Sequence, residues 1–291
     1  MLKLLFRCIA ALSLRSVHRV GGVLGTWVYW LSPTYRRRLQ ENLAGAGYTD
    51  PALVRAAAAA TGRQALETPW VWLRPRTDLL ACTEFADMSI MDAALADGRP
   101  VMFLQPHLGS FEVTTQSYAA FRPEARTRPM TALYRVPRKA LLRDIVATGR
   151  AAEGLKLAPA DLKGVRMLIK AMKDREVVGI MPDQVPSQGE GVWAPFFGRW
   201  AYTMTLSARL ACQFDAIVLF VYGERLPGGR GYRIHLRRLE QPFTGNLVQD
   251  AALMNRGLES LIRECPVQYL WSYNRYKVPA GAEPPPSGAP A

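Results

Sequence analysis

Residues 100–112 have the sequence PVMFLQPHLGSFE, in which a short apolar run leads directly into a cluster of polar groups. The run Pro100–Gln105 has the length and composition that are typical of a strand buried on both faces. Gly109 can form a tight turn after it, and Ser110 is suited to cap the helix that follows. The stretch therefore predicts a strand, a turn and a helix start, which is the repeating unit of α/β folds.

His107 and Glu112 both follow this predicted strand closely. Ligand sites in α/β folds lie beyond the carboxyl ends of the strands, and an imidazole held by a carboxylate is what a general base requires. We therefore interpret His107 as a candidate base. The spacing alone leaves another interpretation open, in which His107 is structural and Glu112 only stabilises the positive end of the helix.

Further strands and helices alternate along the chain. The other predicted strands are Pro129–Tyr134, Glu176–Met181, Ala216–Tyr222 and, after the turn Pro227-Gly228-Gly229, Tyr232–Leu239. The predicted helices are Tyr35–Ala46, Pro51–Leu73, Met88–Ala96, Ser110–Phe121, Arg138–Ala152, Leu162–Lys173, Tyr202–Gln213 and Asp250–Glu264. This order predicts an α/β fold with a mostly parallel central sheet flanked by helices and one antiparallel hairpin.

Asp183 and Gln184 follow the predicted strand Glu176–Met181. If this strand is parallel to Pro100–Gln105, Asp183 lies at the same edge of the sheet as His107. The alternative is that Asp183 only forms a turn beside its neighbouring prolines.

Composition limits the partners and cofactors of the chain. With 291 residues, of which 49% are hydrophobic, it can form one large domain, and its net charge of +13 calls for an anionic partner. The four cysteines form no Cys-x-x-Cys pair, and neither they nor the three histidines cluster. These counts predict reduced thiols, a cytoplasmic setting and no zinc site.

The first 31 residues are apolar but interrupted by charge, and a run without charges, Val20–Leu31, precedes the basic cluster Arg36–Arg38. This run is shorter than the roughly 20 residues of a spanning helix. We interpret residues 1–31 as a membrane anchor helix that lies in the interface or spans imperfectly, with the arginines at anionic headgroups. The alternative is an ordinary buried helix.

Residues 280–291 are rich in Pro, Gly and Ala, which predicts a disordered tail. Residues 32–279 then form the main domain.

Four segments in a fixed order resemble the bacterial lipid A biosynthesis acyltransferases, the late lauroyl/myristoyl transferases of the lysophospholipid acyltransferase superfamily. They are His107 to Glu112 (HLGSFE); Tyr134 to Pro137 (YRVP); Met181 to Pro186 (MPDQVP) with Pro195 to Gly198 (PFFG); and Gln268 to Trp271 (QYLW) with Asn274 to Lys277 (NRYK). Together with the N-terminal segment they cover nearly the whole chain.

The resemblance implies a fold like that of the glycerol-phosphate acyltransferases. It implies transfer of a fatty acyl chain from acyl carrier protein to a hydroxyl of a lipid A precursor, in lipopolysaccharide biosynthesis. The expected location is the cytoplasmic face of the inner membrane, with its anionic lipids as a further partner. The resemblance implies no metal and no other cofactor.

The same resemblance assigns residue roles. His107 is the expected base, and either Glu112 or Asp183 orients it. The resemblance also implies that Arg135 binds an anionic substrate group or steadies the oxyanion. Gln184 is a further expected substrate-binding residue, and so are Arg275 and Lys277, which the aromatic alternation beside them predicts as surface bases.

Two aromatic segments complete the expectations. Residues 189–200 predict a long loop whose aromatic side chains either wall an acyl groove, which we favour, or form a small core of their own. Residues 269–276 carry aromatics with a period of two, which is typical of a packed, strand-like segment.

Three other functions are compatible with parts of the sequence. An acyltransferase acting on glycerol phosphates or another glycolipid usually carries an aspartate where Glu112 stands. A nucleic-acid-binding protein would explain the charge, but no recognised nucleic-acid motif and no isolated basic stripe is present. A serine hydrolase is disfavoured because the chain has no Gly-x-Ser-x-Gly segment.

Overall fold

A computed structural model describes residues 2–137 and 140–290. The helices are α1 (Leu2–Ala11), α2 (Leu14–Leu31), α3 (Pro33–Gly45), α4 (Pro51–Leu73), α5 (Arg76–Ala81), α6 (Ser89–Ala96), α7 (Phe111–Phe121), α8 (Ala140–Arg150), α9 (Leu162–Lys173), α10 (Leu206–Gln213) and α11 (Leu247–Glu264). The strands are β1 (Thr83–Phe85), β2 (Val101–Leu104), β3 (Met130–Tyr134), β4 (Leu155–Pro159), β5 (Val177–Ile180), β6 (Gly191–Phe196), β7 (Arg199–Met204), β8 (Ile217–Arg225) and β9 (Tyr232–Arg238).

Seven of these strands form the central sheet, in the order β1-β9-β8-β2-β5-β3-β4. The five strands from β8 to β4 are mutually parallel, and β9 runs antiparallel to β8. The predicted α/β class, the mostly parallel sheet and the antiparallel hairpin are therefore confirmed.

The sheet separates two hydrophobic cores. Met102 and Leu104 of β2 belong to one cluster, and Val101 and Phe103 belong to the other. Alternate residues of a strand point to opposite faces, and every residue of β2 is buried. The short apolar run identified in the sequence is thus the centre of the fold.

Several predicted elements differ from the structure. Residues 191–204 form the hairpin β6–β7 rather than a loop, so Tyr202 lies in a strand and α10 begins only at Leu206. The edge strands β1 and β4 and helix α5 were not predicted. Residues 269–276 form turns and one isolated bridge instead of a strand-like segment. The predicted helix Arg138–Ala152 corresponds to α8, and its first two positions lie outside the described residues.

The N-terminal segment forms two helices where one was expected, and its first residue lies outside the described range. Helix α2 packs so closely along α4 that a Cβ atom added at Gly62 would lie 2.1 Å from the carbonyl oxygen of Gly21. The opposite face of α2 leaves Trp27 60% and Trp30 59% exposed. Within the described part of the chain, no helix combines the length and apolar character needed to cross a bilayer.

The C-terminal tail has no regular secondary structure over its described residues, 280–290. Its backbone nevertheless accepts hydrogen bonds from the hairpin β6–β7. The indole of Trp193 donates to the carbonyl of Glu283, and that of Trp200 donates to the carbonyl of Gly288.

Candidate active site

The carboxyl edge of the parallel sheet brings His107 and Asp183 together. Strands β2 and β5 are paired so that their last residues, Leu104 and Ile180, lie side by side. His107 and Asp183 each follow three residues later. Parallel pairing thus turns a separation of 76 residues into direct contact.

Asp183 holds His107 through both of its carboxylate oxygens. Oδ1 accepts a hydrogen bond from the ring Nδ1 at 2.7 Å, and Oδ2 accepts one from the His107 backbone N–H at 2.8 Å. Two bonds to one carboxylate fix the ring relative to the chain. A neutral imidazole that donates from Nδ1 has its free lone pair on Nε2, which is the tautomer of a general base.

Gln184 lies at the other nitrogen of the ring. Its amide Nε2 is 3.1 Å from Nε2 of His107 and donates to that lone pair. Nε2 is therefore accessible to a hydrogen-bond donor, which is the position that the hydroxyl of a substrate needs. The His107 side chain is 15% exposed, so the site opens to the surface.

Asp183 is 2% exposed and remains a carboxylate. Burial raises the pKa of Asp183, but the His107 ring, its two hydrogen bonds and the charge of Arg275 lower it further, so that the pKa falls below its ordinary value. A buried, ionised carboxylate stabilises the imidazolium that forms when His107 accepts a proton.

Glu112 has no hydrogen bond or ion pair with His107. It is buried on the first turn of α7, where the Trp72 indole donates to Oε2 at 2.8 Å and Arg150 binds both oxygens through its guanidinium. Of the two candidate acids, Asp183 is therefore the one that is bonded to His107. The Glu112–Arg150 pair instead joins α7 to α8 and α4.

Arg275 differs from the surface base that was expected. It is 2% exposed, and its guanidinium donates to the Tyr202 carbonyl at 2.7 Å and to Thr203 Oγ1 at 2.8 Å. The reason is the hairpin β6–β7, which covers it. Both terminal nitrogens are thus bonded within the protein, and the charge of Arg275 acts on Asp183.

Arg135 and Lys277 are both exposed. Arg135 follows β3 directly and lies at the same sheet edge as His107. Burial raises the pKa of Tyr273, whereas the hydrogen bond from the Val185 N–H and the charges of Arg275 and Arg135 lower it. Lys277 lies 6.0 Å from the centre of the Tyr273 ring. The Tyr273 hydroxyl accepts a hydrogen bond at 3.0 Å from the N–H of Val185, the residue after Gln184.

A narrow, mostly apolar cavity of about 50 Å³ begins beside Phe111, whose ring packs edge-on against His107 at 5.0 Å. Its wall is formed by strands β2 to β5 and by α7, and Glu112 and Arg150 provide its polar part. The aromatic residues that were expected to line a groove lie elsewhere. Phe196 and Phe197 belong to the hydrophobic core, where they contact Tyr269 and Trp271.

The sequence did not indicate that Trp72 and Arg150 bind Glu112. Both residues are far from Glu112 along the chain and belong to no motif. Among the residues that the structure describes, no group of three or more His, Cys, Asp or Glu side chains is placed to bind a metal ion.

The fold and this site define a class: α/β proteins with a carboxylate-held histidine at the carboxyl edge of a parallel sheet, suited to remove a proton from a hydroxyl. Comparison with known proteins identifies the family. Residues 2–278 match the family described as bacterial lipid A biosynthesis acyltransferase, and the chain belongs to that family. The predicted family is confirmed, and the chain is an acyltransferase of lipid A biosynthesis.

Individual members of the family are 21% to 26% identical to this chain. The chain is 26% identical over 218 residues to the lipid A biosynthesis lauroyltransferase of Escherichia coli K12, covering 74% of this chain and 69% of the relative. It is 26% identical over 217 residues to the palmitoleoyltransferase of the same organism, covering 74% and 68%. A lipid A biosynthesis acyltransferase of Haemophilus influenzae is 21% identical over 261 residues, covering 87% and 79%.

Proposed function

We propose that this chain transfers a fatty acyl group from the thioester of an acyl carrier protein to a hydroxyl of a lipid A precursor, with His107 as the general base. The observation that carries the proposal is the position of the ring: Nδ1 is bound to buried Asp183, and Nε2 faces an amide donor. A substrate hydroxyl in place of that amide would meet the free lone pair.

The residues support a balanced sequence of steps. The hydroxyl gives its proton to Nε2 as its oxygen attacks the thioester carbonyl, and Asp183 stabilises the resulting imidazolium. The tetrahedral intermediate then breaks its carbon–sulfur bond. The departing thiolate takes the proton from Nε2, which restores neutral His107 and leaves an ester and a free thiol.

Arg135 and Lys277 are the proposed contacts for anionic groups of the substrates, because both are exposed beside the sheet edge that carries His107. Gln184 is the proposed contact for the attacking hydroxyl or the carbonyl. Arg275 is not among the proposed substrate contacts, because it is buried and both of its terminal nitrogens are bonded within the protein.

We also propose that the exposed face of α2 lies on the cytoplasmic surface of the inner membrane. Val20, Val23, Trp27 and Leu31 recur at helical spacing on that face, and all four are exposed. Tryptophans at an interface and a following basic segment, Arg36–Arg38, are suited to anionic lipid. Such an orientation brings an enzyme to an acceptor that is itself embedded in the bilayer.

The acceptor is tested by competition. Purified full-length protein receives one acyl carrier protein thioester together with equal concentrations of a lipid A precursor and of glycerol phosphate, and mass spectrometry quantifies both products. We expect acylation of the lipid A precursor. Preferential acylation of glycerol phosphate would reject the proposed acceptor and favour the glycerol-phosphate alternative.

A further inference from the structure

A second, larger cavity lies outside the candidate active site. It is open, has a volume of about 600 Å³, and is bounded by α2, α4, the turn between β8 and β9, and residues 267–268. The ionisable residues that line it are all basic: Arg15, His18, Arg19, Arg63 and Arg225. The proposed acyl-transfer chemistry uses none of them.

Among the described residues, Arg225 is the only arginine of this cavity that is paired with a carboxylate, that of Glu67. Buried Glu67 accepts two hydrogen bonds from Arg225, at 2.6 and 2.8 Å, and further bonds from His18 and Tyr232. This carboxylate is therefore fully used by the groups beneath the cavity.

Three arginines above the floor have no carboxylate ligand among the described residues: Arg15, Arg19 and Arg63. Arg15 donates from Nε to the Gly228 carbonyl at 3.0 Å, which leaves its terminal nitrogens available. Burial and the charge of Arg225 both lower the pKa of Arg63, whereas Glu67 raises it. Like charges held together around an open cavity favour the binding of an anion.

The cavity shares a wall with the active-site loop. Gln268 lines the cavity, and its side chain is bonded to the backbone of Arg225. Its own carbonyl accepts a hydrogen bond from Gly109 N–H at 3.1 Å, and Leu270 N–H donates to the carbonyl of His107 at 3.0 Å. The lining residue Gln268 is thus bonded to Gly109, which is two residues along the chain from the candidate base.

The cavity also adjoins the exposed face of α2. Arg15 and Arg19 lie in the first half of this helix, and the exposed apolar residues Val20 to Leu31 continue along it. A lipid whose acyl chains contact the apolar half of α2 can place an anionic headgroup at the basic half of the same helix. Guanidinium groups bind phosphate through paired hydrogen bonds, so the several arginines of this cavity are suited to a lipid phosphate.

We infer that this cavity binds a phosphate group carried by the lipid acceptor and so positions that acceptor relative to His107. The inference rests on the proposed function for the identity of the acceptor. The basic lining and the shared wall with the His107 loop carry the assignment of the site.

The test compares Arg63→Gln with Arg55→Gln. Both changes remove one positive charge from α4, but Arg55 is exposed and does not line the cavity. Binding of a phosphorylated and a dephosphorylated glucosamine disaccharide lipid is measured in detergent micelles without acyl donor, so that no turnover is needed. Arg19→Gln is a second variant, because this exposed side chain is not part of the core.

We expect Arg63→Gln and Arg19→Gln to weaken binding of the phosphorylated lipid about tenfold, the typical effect of losing one charge-assisted contact. Arg55→Gln should leave binding unchanged, and all proteins should bind the dephosphorylated lipid equally. In the full reaction the same two variants should raise KM for the phosphorylated acceptor and leave kcat unchanged.

Equal losses for both lipids, or a loss as large in Arg55→Gln, would overturn the site. A loss seen equally with vesicles of anionic phospholipid that contain no acceptor would also overturn it, because a bilayer headgroup would then be the ligand. If the protein transferred no acyl group but still distinguished the two lipids through Arg63, the proposed function would fail and the phosphate site would stand.

Discussion

At the scale of single residues, two acidic side chains compete for the role of orienting His107. Asp183 is bonded to the ring and backbone of His107, whereas Glu112 is bonded to Trp72 and Arg150. The two substitutions should therefore affect different quantities.

We expect Asp183→Asn to lower kcat by about 10²–10⁴-fold, because an amide can present its N–H to Nδ1 and favour the wrong tautomer. Glu112→Gln should instead lower the thermal midpoint and have the smaller effect on kcat, since it removes the charge that balances partly buried Arg150. Steady-state kinetics and thermal melts of both purified variants check this. A folded Glu112→Gln protein with the larger loss in kcat would reverse the assignment.

The sequence was sufficient to identify those site residues that come directly after a predicted strand. His107 and Asp183 were both identified because each comes just after a short apolar run, and parallel pairing then brings the runs to one edge. The choice between Asp183 and Glu112 could not be made, because the partners of Glu112 are 40 and 38 residues away and belong to no local pattern. Arg275 was misjudged for a similar reason, since its burial depends on a hairpin that was not predicted.

At the scale of elements, the contact between α2 and α4 depends on glycine. A Cβ at Gly62 would lie 2.1 Å from the Gly21 carbonyl oxygen, whereas a Cβ at Gly22 would meet only the flexible end of Arg63 at 3.2 Å. Helix propensity alone predicts that replacing either glycine with alanine stabilises the protein. The close packing at Gly62 makes the expected change in stability unfavourable there, whereas at Gly22 it stays favourable.

We expect Gly62→Ala to lower the free energy of unfolding by about 1–3 kcal/mol, as overpacking typically does. Gly22→Ala should leave it unchanged or raise it by about 0.5–1 kcal/mol, in keeping with helix propensity. Urea denaturation of both variants measures the difference. A stabilised Gly62→Ala protein would show that α2 is not packed on α4 in this way.

Glu67 of α4 is bonded to His18 of α2 and to Arg225 of β8, so it links both helices to the central sheet. Burial raises the pKa of Glu67, but Arg225 and His18 lower it more, to about 2 from an ordinary value of 4.5. A carboxylate whose pKa is depressed by folding contributes stability above pH 4.5, and that contribution disappears as the pH falls toward 2.

We expect Glu67→Gln to cost about 3–5 kcal/mol of unfolding free energy at neutral pH, because it leaves buried Arg225 without its partner. The difference from the wild-type chain should shrink as the pH falls from 4.5 toward 2. Denaturant titrations at several pH values test this, with exposed Glu41→Gln as control. A difference that stays constant over this range would refute the ionised pair.

Secondary structure was predicted best where elements are long or fully buried, as for β2 and α4. The hairpin β6–β7 was missed because its strands contain Gly191 and Pro195 and are joined at Gly198, which are residues more typical of a loop. The edge strands β1 and β4 were missed because β1 has only three residues and β4 shows little burial. Tertiary pairing, not local propensity, makes these segments extended.

At the scale of the whole molecule, the proposed membrane surface is part of the folded domain. Helix α2 packs on α4 with one face and lines the basic cavity, so deletion of residues 1–31 would also remove core residues such as Val17. Surface substitutions are therefore the cleaner test of membrane binding.

We expect Trp27→Ser combined with Trp30→Ser to weaken binding to anionic vesicles about tenfold or more, because two large apolar side chains lose their burial in lipid. Binding of the unmodified chain should weaken with salt, since basic residues contribute to it. Sedimentation with vesicles measures both effects. Leu162→Ser changes an exposed apolar residue elsewhere and serves as the control; an equal loss in this variant would argue against a specific face.

The proposed acyl transfer depends on His107, which the parallel sheet places at its carboxyl edge and whose loop is bonded to Gln268 in the wall of the basic cavity. The most direct test is the turnover of purified His107→Ala with an acyl carrier protein thioester and a lipid A precursor, measured by mass spectrometry after its fold has been verified by circular dichroism. We predict a loss of at least about 10²-fold in turnover with an unchanged fold, as expected for removal of a general base. Near-normal turnover by the folded variant would contradict the account.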